Sequence, residues 1–163
     1  MNIAYVALGA NLGDPAATIR AAFGALANLP ESRVVHCSSL YRTAPVGNTE
    51  QPEFINAVAA LETTLAPESL LDALFDIEAR FGRIRAEKNG PRTLDLDLLL
   101  YNNQQLNLPR LTLPHPRLHW QHLPHPRLEV LRGRVVTVDA DEPLPIELDG
   151  EQVDEAAQAH HQP

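Results

Sequence analysis

Residues 90–102 read GPRTLDLDLLLYN, with two aspartates set two positions apart inside a run of leucines. In an extended strand successive side chains point to opposite faces, so Leu94, Leu96 and Leu98 share one side and Asp95 and Asp97 the other. At ~3.3 Å of rise per residue, the Cα atoms of the two acids stand roughly 7 Å apart. Two like charges beside an apolar core repel and resist desolvation, so something positive has to compensate them. Carboxylate oxygens suit magnesium better than zinc, and magnesium usually completes its shell with water and phosphate oxygens. The plain alternative is the solvated outer face of an edge strand that carries two acids. The preceding loop tips the balance toward metal and phosphate. Residues 83–92 read RIRAEKNGPR, in which Arg83, Arg85, Lys88 and Arg92 face only Glu87, and planar guanidinium groups hold small anions bidentately.

Working outward from this strand, the chain alternates between two periodicities. Ile3 to Leu8 is a short apolar run ending at Gly9, which fits a buried central strand. GANLGDP then supplies Asp14 as a helix N-cap and Pro15 at the first helical position, with Ile19, Ala22, Phe23 and Leu26 at helical spacing before Pro30. Val34 to Thr43 reads as the next strand. A third runs through AVAALETT, entered by Phe54, Ile55 and Asn56, after a loop rich in Pro and Gly. Pro67 opens a second helix with Leu70, Leu71, Leu74, Ile77 and Phe81 on one side and Gly82 as its terminator. Thr93 to Tyr101 is the fourth strand, and Asn102-Asn103 gives turn chemistry leading into a short returning strand. The order, strand-helix-strand-strand-helix-strand, implies an α+β fold, a ferredoxin-like antiparallel sheet with helices packed on one face. Val135 to Val138 and Ile146 to Leu148 are expected to add a C-terminal β-ribbon before an acidic tail that carries His160 and His161 near its end.

At 163 residues the chain is expected to form a single domain over 1–163. With 44% apolar and 21% charged residues it reads as soluble and globular. The net charge of −8 argues against a general nucleic-acid or anionic-membrane surface, since the long-range field repels both. An RNA-binding module on the same fold class would want aromatic residues spaced on the sheet and basic surroundings, whereas aromatics are 5% of the chain. No apolar stretch reaches the ~20 residues of a bilayer span, and MNIAYVAL lacks the features of a signal peptide, so a cytoplasmic location is expected; a monomer is the separate expectation for its assembly. The lone Cys37 reads as a buried, inert thiol.

These residues resemble the 6-hydroxymethyl-7,8-dihydropterin pyrophosphokinases of folate biosynthesis. The resemblance is carried by ALGANLGD at 7–14, SSLYRTAPVG at 38–47, QPEFINAV at 51–58, GRIR at 82–85 and GPRTLDLDLLLY at 90–101, and it runs to about His119. It implies transfer of a pyrophosphoryl group from ATP, the co-substrate, to the hydroxymethyl group of a reduced pterin, with release of AMP. Asp95 and Asp97 would bind two magnesium ions. Phe54 would stack on the pterin ring and the Asn56 amide would meet its edge, with Thr43, Ala44 and Val46 contributing contacts nearby. Arg83, Arg85, Arg92, Arg110 and His115 would contact nucleotide phosphates or assist the transfer, Arg83 and Arg92 catalytically, and Glu78 and Thr112 would line the nucleotide pocket.

Beyond His119 the pattern changes. Where the family carries an arginine and a ring-covering phenylalanine, this chain has Gln121 and Leu123. By that resemblance Leu123 would still cover a pterin face but would lose the aromatic contribution of ~0.5–1.5 kcal/mol, so the alternative expectation is a degenerate relative that binds pterin and ATP with weak turnover. Residues 124–163 diverge from the family pattern altogether. His115, His119, His122 and His125 suggest zinc, but Pro114, Pro116, Pro124 and Pro126 break any helix that would align them.

Overall fold

The structure, a computed structural model, describes residues 1–43, 50–82, 93–116 and 144–146. Its elements run β1 (Asn2–Ala10), α1 (Pro15–Ala27), β2 (Ser32–Cys37), β3 (Leu40–Thr43), β4 (Phe54–Thr63), α2 (Pro67–Arg80), β5 (Asp95–Tyr101), β6 (Leu106–Leu108), β7 (Leu111–Leu113) and β8 (Leu144–Ile146). This is an α+β protein. The main sheet has the order β5-β1-β4-β3-β8, with β2 also paired to β4, and its pairings are antiparallel.

Each helix begins where the sequence offers a starting signal. The Asp14 carboxylate accepts the Ala17 N–H at 3.1 Å, which satisfies one of the orphan donors of the first turn of α1. Pro15 and Pro67 occupy first-turn positions where a missing N–H costs nothing. Gly82, at φ +75°, supplies the left-handed residue that ends α2. Ile19, Ala22 and Leu26 of α1 and Leu70, Leu71, Leu74 and Ile77 of α2 are buried against one face of the sheet. That face presents Ala4, Val6, Leu8 and Ala10 of β1, Ile55, Ala57, Ala59 and Leu61 of β4, and Leu96 and Leu98 of β5. Burial of each leucine or isoleucine is worth about 1.5–3 kcal/mol, so this layer supplies the main favourable term of folding.

Three local features depart from the sequence reading. The stretch Val34 to Thr43, expected as one strand, is two, β2 and β3, which pair with successive parts of β4. Ser38 bridges the interruption, donating its N–H to the Val58 carbonyl and accepting the Val58 N–H on its hydroxyl, both at 2.8 Å. A side chain thus stands in for a ladder bond. The strand after Asn102 does not return to β5. It pairs as a separate β6–β7 hairpin, through Leu106↔Leu113, and packs beside β5. Cys37 is half-buried. Of the expected C-terminal ribbon, Val135 to Val138 lies outside the described residues, and β8, which begins at Leu144, pairs with β3.

Tyr101 ends β5 inside the core and donates its hydroxyl to the Leu65 carbonyl at 2.6 Å. Burial raises its pKa above the ordinary 10.0. The folded chain therefore holds this proton more tightly than the unfolded chain does. The resulting stability is complete below pH about 10 and is lost as the pH climbs through the folded value. Tyr101→Phe is expected to cost about 0.5–1.5 kcal/mol at neutral pH for the lost bond. It should also flatten the decline above pH 10, as read from urea unfolding at several alkaline pH values.

Candidate active site

The sheet face turned away from the helices divides into two parts. One end is apolar, with Tyr5, Ala7, Ala60 and Leu99 buried together beside Ile3, Val58 and Leu100. The other end is polar, and strand register composes it. Gly9 of β1 pairs with Asp95 of β5 on one side and with Asn56 of β4 on the other, and Asn56 in turn pairs with Tyr41 of β3. Directly opposed residues share a face. Asp95, Gly9, Asn56 and Tyr41 therefore form one row across four strands. The next row toward the apolar end is Asp97, Ala7 and Val58, and the row beyond Asn56 is Phe54 with Thr43.

Both acids are half-buried, as the alternation within LDLDL requires. Past Asp97 the alternation breaks. Val6 pairs with Leu98 but Tyr5 pairs with Leu100, so Leu99 is the extra residue of a β-bulge. The bulged Leu99 carbonyl accepts the backbone N–H of His115 at 3.0 Å. Thus fixed, His115 brings its Nε2 to 3.6 Å from Asp97 Oδ1, with side chains 21% and 31% exposed respectively. Among the described residues no three ligand-type side chains converge tightly enough to enclose a metal ion by themselves. The acids instead offer hard oxygen donors on one side of an open row.

On β4, Phe54 and Asn56 are half-buried on the same face. The Asn56 amide donates through Nδ2 to Thr43 Oγ1 at 2.6 Å, which fixes the orientation of the carboxamide. Thr43, the last residue of β3, is buried. Sequence reasoning missed the residue that holds this end of the sheet together. Asn11, 2% exposed, directs its Nδ2 to Gln51 Oε1 at 2.9 Å and to the Pro52 carbonyl at 3.0 Å. It ties the end of β1 to the chain two residues ahead of Phe54. Its sequence signals were a polar residue directly after an apolar strand and its place inside the motif ALGANLGD.

Glu78, Arg110 and Thr112 lie on other elements and turns. Glu78 of α2, 3% exposed, accepts the Leu96 N–H at 2.7 Å and so grips the acid strand between its two aspartates. Arg110, in the β6–β7 turn, is ion-paired with Asp72 of α2, and that carboxylate raises the guanidinium pKa above its ordinary value. Thr112 is the exposed residue of β7, between buried Leu111 and Leu113. Ala44, Val46, Arg83, Arg85, Arg92 and Leu123 lie outside the described residues.

Comparison with known proteins bears directly on this arrangement. A family model described as 7,8-dihydro-6-hydroxymethylpterin-pyrophosphokinase (HPPK) matches residues 5–131. A 2-amino-4-hydroxy-6-hydroxymethyldihydropteridine pyrophosphokinase of Pseudomonas aeruginosa is 56% identical over 111 residues, covering 68% of each chain. Proteins of the same name match from Haemophilus influenzae, 46% identical over 73% of this chain and 74% of that one, and from Pseudomonas putida, 52% identical over 71% of this chain and 96% of that one.

The grip on Leu96 can be tested through stability. Glu78→Ala strands a buried N–H and is expected to cost about 1–3 kcal/mol, read as a lower urea midpoint. Glu78→Gln keeps an acceptor oxygen and should recover most of that loss.

Proposed function

This chain belongs to the 7,8-dihydro-6-hydroxymethylpterin-pyrophosphokinase family, and from that premise we propose how its residues carry out the reaction. The enzyme transfers pyrophosphate from ATP to 6-hydroxymethyl-7,8-dihydropterin in folate biosynthesis. A bond forms between the pterin hydroxymethyl oxygen and the β-phosphorus, and the hydroxyl proton is released. The bond from that phosphorus to the oxygen bridging to the α-phosphorus breaks, and AMP leaves with that oxygen. There is little covalent work for the protein in such a transfer. Alignment and charge neutralisation dominate.

The observation that carries the residue assignment is the row Asp95, Gly9, Asn56. It puts the Asp95 carboxylate and the Asn56 carboxamide on one face, two strands apart, with Asp97 in the adjacent row. Magnesium is usually held by one or two carboxylates together with substrate phosphates, which is the donor set Asp95 and Asp97 provide, and the family reading expects two ions there. When bound, magnesium supplies positive charge against the triphosphate. At the other end of the row, Phe54 stacks on the pterin ring and Asn56, with Nδ2 engaged by Thr43, meets its edge. Ala44, Val46 and Leu123 complete the pterin contacts.

His115, anchored through the bulge beside Asp97, donates to a phosphate oxygen. Arg83, Arg85 and Arg92 take the remaining phosphate charge, Arg83 and Arg92 at the transferred group. Arg110 exchanges Asp72 for the nucleotide, with Thr112 nearby. Glu78 acts on the site through the Leu96 backbone. The order β5-β1-β4-β3 supports a ferredoxin-like reading of the sheet, and we take the chain as a single domain acting as a cytoplasmic monomer. Among the described residues no helix is long and apolar enough to cross a membrane.

AMP release that depends on both magnesium and 6-hydroxymethyl-7,8-dihydropterin is the decisive assay. Asp97→Ala should lower kcat by about 10²-fold or more, the scale of losing one electrostatic stabiliser of a transition state; an undiminished rate contradicts the assignment. Asn11→Ala, which releases the chain at Pro52, should raise KM for the pterin and leave KM for ATP unchanged in steady-state kinetics.

A further inference from the structure

We propose that Gly9 is a specificity-determining position of this site, the bare step over which a pterin held by Asn56 reaches the acids. The inference rests on the pyrophosphokinase reading and deepens it. Neighbouring strands lie ~4.8 Å apart, so Asp95 and Asn56 stand roughly 10 Å apart on either side of Gly9. Any molecule that touches both must cross over that residue. Along β1 the same face carries Tyr5, Ala7 and Gly9, so the side chains shrink toward the polar end and vanish where the row crosses.

A second observation ties Gly9 to the amide itself. A Cβ placed on Gly9 would lie 3.2 Å from Asn56 Oδ1, closer than an ordinary van der Waals contact. A free side chain would swing aside. The Asn56 carboxamide cannot do so at no cost, because Nδ2 is engaged with Thr43 Oγ1 at 2.6 Å. Gly9 therefore sets one limit of the amide's position and Thr43 the other. Added bulk at residue 9 both fills the lane and pushes the amide against its hydrogen bond. Gly9 does not adopt a positive φ, so alanine meets no backbone strain there. Its restriction of the unfolded chain favours stability.

The test is calorimetric titration of 6-hydroxymethyl-7,8-dihydropterin in the presence of magnesium and a non-hydrolysable ATP analogue, on wild type, Gly9→Ala, Asn56→Ala and the double variant. Gly9→Ala should weaken pterin binding more than tenfold while the ATP analogue alone binds as in wild type. Adding Gly9→Ala to Asn56→Ala should change the pterin affinity much less. Equal pterin affinity in wild type and Gly9→Ala overturns the role of Gly9 and leaves the enzyme reading standing; an equal loss with and without Asn56 supports the open lane and overturns the coupling to the Asn56 amide. A wild-type chain that takes up no pterin overturns the enzyme reading, and the role of Gly9 falls with it.

Discussion

A slip of one residue between β1 and either neighbour would turn the whole polar row into the hydrophobic layer, because side chains on a strand alternate with a period of two. The register is held by what lies beneath it. Val6, Leu8 and Ala10 must face the helices, and so must Ala57, Ala59, Leu96 and Leu98. With those positions committed to the core, Gly9, Asn56, Asp95 and Asp97 have no choice of face. The apolar layer thus fixes which functional groups meet as well as how tightly the chain folds. Turn geometry does not enter this constraint, since β1, β4 and β5 are joined through long connections.

Much of the fold was legible because local signals agreed with the tertiary arrangement. Asp14-Pro15 and Pro67 each mark a helix start, and the spacing of Leu70, Leu74 and Ile77 gives the buried stripe of α2. The misses share a cause. At Ser38-Ser39 the strand breaks without a glycine or proline, because a serine hydroxyl takes over a ladder bond to Val58, a substitution visible only once β4 is beside it. Leu98-Leu99-Leu100 is uniformly apolar, so nothing in its pattern reveals that one leucine is bulged. The hairpin Leu106 to Leu113 was read as a returning strand because turn chemistry at Asn102-Asn103 does not specify the partner.

The site divides in the same way. Asp95 and Asp97, and Phe54 and Asn56, were legible as pairs at i and i+2, since strand periodicity alone aligns them. Residues whose contribution depends on distant partners were not. Asn11 acts through Pro52, forty-one positions on. Glu78 was expected in a nucleotide pocket, and its carboxylate meets the Leu96 N–H inside the protein. Arg110 carries a charge that any anion-binding scheme would want, but its engagement by Asp72 needs α2 and the β6–β7 turn side by side. In the sequence Gly9 marks only the end of an apolar run, whereas its lack of a side chain matters because of what approaches it from β4.

The contact between Glu78 and Leu96 also bears on solubility. Among the described residues β5 is the outermost strand of its sheet, and it is rich in leucine, the kind of segment that recruits foreign chains through unpaired main-chain donors. Consuming the Leu96 donor internally removes one of the groups with which another molecule would begin to add on. The strand that presents the acids is thereby partly shielded from aggregation, without a proline or a lysine being placed among residues that the chemistry needs.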